Sequence, residues 1–206
     1  MSQKIKTILF DLGGVLIDWN PKNVYQNVFD GSSEKINWFL DNVCTMDWNV
    51  EQDAGRTIEE ANRIKIAEFP EYEKEIKMYY GEWPKMLTGT IKGTFEIFEA
   101  IKKSKNYNYY ALTNWSSETW PTAMDMFPFL KSFEGVVVSG DVKMRKPFDP
   151  IYLHILEKFN LDPKTTVFID DSLPNIETAN RLGIHGIYFQ SPEQLAVDLK
   201  KLGVTY

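Results

Sequence analysis

The sequence predicts an α/β protein: a Rossmann-like, mainly parallel sheet covered by helices, with an all-helical segment inserted after the first strand. Three observations predict it. Short runs rich in β-branched and aromatic residues at 7–10, 107–112, 135–138, 166–169 and 186–189 read as strands. Between the later runs, segments 94–103, 117–127, 150–159, 175–182 and 192–202 carry apolar residues at three- and four-residue spacing, as amphipathic helices do. The stretch 18–88 breaks this alternation with helix-like segments and no convincing strand.

Taken in order, the first strand is Thr7-Ile8-Leu9-Phe10, four residues that suit burial on both faces, and it stops at Asp11. The inserted stretch has helical patterns at 22–29, 33–42, 58–69 and 72–82. Punctuation supports the later helices, with Asp149-Pro150 opening one and Gly183 following another. Strands that alternate with helices imply βαβ units, a parallel sheet and ligands at the carboxyl ends of the strands. The expected organisation is a core of residues 1–17 and 89–206 with a helical cap, 18–88, whose tip can close over that sheet edge.

The 206 residues suit one core domain with an insertion. A net charge of −6 argues against a nucleic-acid surface, which needs a basic stripe, and favours a small substrate. There is no charged-then-apolar leader and no apolar run near the roughly 18 residues of a membrane span, so a cytoplasmic location is expected. The single cysteine, Cys44, has no neighbouring histidine and reads as a small core residue. His154 and His185 are not at metal-ligand spacing and read as packing residues. Nothing in the sequence decides between monomer and homodimer.

The chemistry gathers at four strand ends. These are Phe10-Asp11-Leu12-Gly13-Gly14, Leu112-Thr113-Asn114-Trp115, Lys143-Met144-Arg145-Lys146-Pro147 and Ile169-Asp170-Asp171-Ser172. Three carboxylates in one cleft repel each other unless a cation sits among them, and a hard, oxygen-liganded ion such as Mg2+ is the natural guest. The same ion would let an anionic Asp11 attack an anionic phosphoryl group, giving a covalent aspartyl intermediate. Lys146 supplies fixed positive charge, and Thr113 with nearby backbone N–H groups can hold phosphoryl oxygens. Trp115 either stacks on substrate or packs beneath the cap.

In order and spacing these segments resemble the four motifs of the haloacid dehalogenase superfamily. The helical insertion after the first strand is similar to the cap of its first subclass. Leu112-Thr113-Asn114-Trp115, Ile169-Asp170-Asp171 and Asn175 look most like the group holding the phosphatase domain of soluble epoxide hydrolase and a glucose-1-phosphate phosphatase. The resemblance implies a Mg2+-dependent phosphatase acting on a small phosphorylated metabolite, a sugar phosphate among the candidates. It makes Asp11 nucleophile and metal ligand, the Gly13 carbonyl a ligand, Asp171 the principal fourth-motif ligand, with Asp170 and Asn175 supporting. Segment 47–56 resembles the cap loop that faces the active site in relatives, which makes Arg56 a candidate for the substrate anion, beside Asn114 and Trp115.

The pattern departs at one place. Family phosphatases carry a second aspartate two residues after the nucleophile, as general acid for the leaving group; here that position is Gly13. General acid–base help is worth about 10²–10⁴-fold. Either the substrate has a good leaving group, or Asp18 reaches in to donate the proton; a capping or turn role for the Asp18 segment competes with the latter. Two other functions stay open: a hydrolytic 2-haloacid dehalogenase, which needs no metal, and a non-catalytic phospho-ligand-binding regulator.

Overall fold

Four consecutive buried residues, Thr7–Phe10, make β1, the middle strand of the sheet in the computed structural model, which describes residues 4–206. The chain then forms β2 (Ile17–Trp19) and the helices α1 (Lys22–Tyr25), α2 (Ser33–Asn42), α3 (Met46–Asp53), α4 (Ile58–Glu68) and α5 (Glu73–Gly81). It returns through β3 (Leu87–Thr90), α6 (Lys92–Ser104), β4 (Asn108–Thr113), α7 (Trp120–Met126), β5 (Gly135–Val138) and α8 (Ser139–Val142). The last elements are α9 (Asp149–Lys158), β6 (Thr166–Asp170), α10 (Leu173–Arg181), β7 (His185–Tyr188) and α11 (Pro192–Lys201).

The five-stranded sheet has the order β5-β4-β1-β6-β7, and every pairing in it is parallel. Strand polarity alternates its faces. Ile8 and Phe10 join the core that contains Phe98, Ile101 and Leu195 of α6 and α11, whereas Leu9 joins Tyr152, Ile155 and Ile176 of α9 and α10 on the other side. Covering both faces is what buries β1 and β6 along their whole length. Winding proceeds outward from β1 through β4 to β5, then reverses across β1 to β6 and β7, so the switch in direction falls beside β1. Phe10 lies level with Ala111 and Ile169, which sets the residues that follow these three strands side by side.

The inserted stretch differs from expectation in three ways. It is bounded by strands: β2 pairs antiparallel with β3, with Ile17 opposite Thr90, so a two-stranded ribbon joins the helices to the sheet. It also holds α3, which lacks an apolar stripe because its buried positions include the polar Asn49 and Gln52. Thr45 caps this helix, accepting the Trp48 N–H at 3.2 Å. The first helix is shorter than 22–29, ending at Tyr25. No helix among the described residues is long and apolar enough to cross a membrane.

Candidate active site

At the carboxyl ends of β1, β4 and β6 lies a cavity of about 430 Å³. Asp11, Gly13, Asn114, Lys146 and Asp171 form its floor, and Trp19, Val50, Asp53, Tyr80 and Trp83 of the insertion face them. A larger depression of about 730 Å³, lined by Lys102, Lys103 and Tyr107, opens near the start of β4 and holds none of these carboxylates.

Lys146 is the hub. Its side chain is 1% exposed, and its Nζ lies 2.9 Å from Asp11 Oδ1 and 2.6 Å from Asp170 Oδ2. Burial works against the ammonium, but Asp11 and Asp170 more than reverse this and hold its pKa above the ordinary lysine value. Asn114 fixes the backbone around it: the Lys146 N–H donates to Asn114 Oδ1 at 2.9 Å, and Asn114 Nδ2 donates to the Lys146 carbonyl at 3.0 Å. The second and third strand-end segments therefore meet through paired, directional bonds rather than by proximity alone.

Asp170 is fully buried and already satisfied. Besides Lys146 it accepts the Ser172 N–H at 2.8 Å, and Asn175 Nδ2 spans both its oxygens at 2.9 and 3.0 Å. It thus stands behind Lys146, while Asp11 and Asp171 face the cavity. One oxygen from each of Asp11, Asp170 and Asp171 lies within 4.8 Å of the others. Burial pushes the Asp11 carboxyl up, to about 8, against the pull of Lys146 and with added repulsion from Asp170 and Asp171. Asp171 is raised too, by burial and then by Asp170. Three carboxylates against one ammonium leave two net negative charges, and a single divalent cation matches that balance with a donor set of the right hardness.

The two glycines have different reasons. Gly14 takes φ +75°, and any Cβ there would collide with the Asp171 carboxylate, so both the turn and the close approach demand glycine. Gly13 has no positive φ, and nothing lies within 4 Å of a Cβ built on it. Turn geometry therefore accounts for Gly14 but not for Gly13.

Thr113 is 1% exposed, and its Oγ1 has no hydrogen-bond partner among the described residues. Trp115 lines the cavity and packs edge-on against Trp83 of the insertion, ring centroids 5.4 Å apart. Arg56 is not brought to the cavity. Its Nε donates to Gln52 Oε1 at 2.7 Å and its Nη2 to the Trp48 carbonyl at 2.8 Å, so its donors tie up the end of α3 instead. The cationic lining residue that sequence reasoning missed is Arg145, hidden in a basic run. Asp18 is exposed in β2, where Thr88 donates to its carboxylate, and it neither caps a helix nor lines the cavity. Cys44 is buried beside Tyr25, and burial pushes its thiol up to about 12, which suits a core residue.

The chain is similar to known proteins over most of its length. Sesquiterpene phosphatase astK of Aspergillus oryzae is 24% identical over 98% of both chains. A phosphorylated carbohydrates phosphatase of Thermotoga maritima is 26% identical over 89% of this chain and 84% of its own. Among solved structures, a haloacid dehalogenase family enzyme of Bacteroides thetaiotaomicron in complex with magnesium and inorganic phosphate superposes with a TM-score of 0.71. It is 28% identical, with 91% of this chain and 95% of that one covered. The profile of haloacid dehalogenase-like hydrolases matches residues 8–189, most of the chain, and the protein belongs to that family.

Proposed function

We propose that this protein is a Mg2+-dependent phosphomonoesterase in which the Asp11 carboxylate attacks phosphorus. The observation that carries the reading is the buried Asp11–Lys146–Asp170 chain beside Asp171 at one end of the cavity. Asp11, Asp171 and the Gly13 carbonyl would hold the ion, with Asp170 and Asn175 supporting them from behind. When bound, it supplies positive charge that offsets repulsion between an anionic nucleophile and an anionic phosphoryl group.

The chain's own residues do the rest. Lys146 holds Asp11 by one oxygen, which leaves the other to attack. The Thr113 hydroxyl, buried without a partner among the described residues, donates to a phosphoryl oxygen as a fixed donor. Asn114 keeps Lys146 in place. The bond from phosphorus to the ester oxygen breaks as the Asp11–phosphorus bond forms, and water then hydrolyses the aspartyl phosphate.

Residues 18–88 act as a cap over a core of 1–17 and 89–206, in the manner of the family's first subclass, with the β2–β3 ribbon as the joint. The substrate is a small phosphorylated metabolite, and the wall of Trp19, Trp83 and Trp115 suits a flat apolar face such as a sugar's C–H face or an isoprenoid chain. Phosphatase names among the relatives, and the magnesium and phosphate bound to the Bacteroides enzyme, support this reading.

A screen of sugar phosphates, an isoprenoid phosphate and an aryl phosphate, with Mg2+ and after chelation, tests it. Turnover should require Mg2+ and vanish in Asp11→Asn. Release of halide from a 2-haloacid that survives chelation would favour the dehalogenase, and phosphate-ester binding without turnover would favour a regulator.

A further inference from the structure

Position 13 has no proton to give, yet the cavity contains another carboxyl group. We propose that Asp53, at the end of α3, donates the proton to the leaving oxygen and recovers it from the attacking water. The inference rests on the phosphatase reading and deepens it.

Elimination leads to Asp53. The other titratable groups lining the cavity are committed: Asp11 is the nucleophile, Asp171 a metal ligand, and Lys146 is bound to two carboxylates. Arg145 is permanently charged. Tyr80 is pushed far above its usual range by burial, and its hydroxyl donates to Asn49 Oδ1 at 2.9 Å. Asp53 forms no ion pair among the described residues, and its side chain accepts only a long hydrogen bond, 3.4 Å, from Asn49 Nδ2. A partly buried carboxyl with so little support is costly unless it has a use.

Its location fits that use. In-line displacement sends the leaving oxygen away from Asp11, toward the wall formed by the insertion. Asp53 is held on that wall by contacts on both sides of it in sequence. Glu51 pairs with Arg145 of the core at 3.7 Å, and Gly55 sits against Gly140 and Lys143. The groups that act on it are Lys146 and Arg145 from the core and Tyr79 and Tyr80 from α5. Burial raises its carboxyl to about 7, and the two cations restrain the rise, so that it is poised to donate and accept near neutrality.

The step balances. Asp11 forms its bond to phosphorus, and the ester oxygen leaves with the bonding pair and takes the Asp53 proton, giving the alcohol. Asp53 carboxylate then removes a proton from water as its oxygen attacks the aspartyl phosphate. Inorganic phosphate and both carboxyl groups are returned.

The test compares an alkyl phosphate with an aryl phosphate, whose leaving group needs no proton, in the presence of Mg2+. Asp53→Asn should lower kcat/KM for the alkyl ester by about 10²-fold or more and for the aryl ester by less than about 10-fold. It should also remove the fall in alkyl turnover above pH 7, and adding Gly13→Asp should restore the loss. Equal losses on both esters, or none, would overturn the assignment while leaving the phosphatase reading intact. Wild-type protein that turns over neither ester sinks both. A measurement without variants guards against misfolding: wild-type kcat/KM should vary little across esters of increasing leaving-group pKa, and a steep decline rules Asp53 out.

Discussion

The sheet-edge wall of the cavity and the helical wall that faces it handle their polar groups differently. On the sheet edge every buried charge is paired: Asp170 accepts from Lys146, Asn175 and the Ser172 backbone, and Lys146 also reaches Asp11. On the helical wall, Gln52 and Asn49 are satisfied through the Tyr80 hydroxyl, but Asp53 is left with one weak bond. The first wall is fixed by strands whose register admits no slip. The second rests on a two-stranded ribbon and on contacts across the cavity mouth. The difference teaches that fixed pairing is concentrated around the proposed nucleophile, and the loosely held carboxyl lies on the wall proposed to face the leaving group.

That contrast can be broken, beginning with the largest effects. Asp11→Asn should reduce phosphatase turnover by at least about 10⁴-fold in a steady-state assay while leaving the fold intact, and chelation of Mg2+ should abolish turnover as completely. Lys146→Ala removes the ammonium that pairs with both Asp11 and Asp170 and leaves those carboxylates uncompensated. The loss should be about 3–5 kcal/mol in urea unfolding, part of which returns when Mg2+ is added. Gly14→Ala forces a Cβ into the Asp171 carboxylate at a positive φ; a loss of about 1–3 kcal/mol and much weaker Mg2+ binding by calorimetry are expected.

The smallest effect has the opposite sign and belongs to the helical wall. Asp53 has a folded pKa of about 7 against an ordinary 3.8, so the fold favours its protonated form. The stability this lends is full below about pH 4 and is lost as pH rises through 7. Asp53→Asn should therefore stabilise the protein at pH 8 by about 1–3 kcal/mol and change little at pH 4, as read from urea midpoints at both pH values. A destabilised variant at pH 8 would mean that Asp53 is a structural anion like Asp170.

What the sequence made legible follows the same division. Strands at 7–10 and 135–138 and the helix at 33–42 have the expected bounds, because continuous apolar runs and a Ser32 cap are local signals. Asp11, Asp170 and Asp171 could be grouped because each ends or follows a strand and parallel register brings those ends together, whereas Lys146 lies beyond α8 and is tied in by Asn114. The helical wall was opaque. The Tyr80 hydroxyl that lets Asn49 and Gln52 be buried is 31 and 28 residues away, so α3 shows no apolar period. The β2–β3 ribbon joins segments about 70 residues apart, each too short to read alone. Arg56 looked like an anion site because a sequence cannot tell a free guanidinium from one bound to its own helix. Asp53 was hidden for the converse reason, since its meaning lies in lacking partners.

The most direct test of the account is to find the phosphoryl group on Asp11. Wild-type protein mixed with Mg2+ and excess substrate, quenched in acid during turnover and digested, should yield a peptide spanning residue 11 that is heavier by one phosphoryl group. Asp11→Asn should yield none. Turnover with no adduct on that peptide, or an adduct that persists in Asp11→Asn, would contradict Asp11 as the nucleophile.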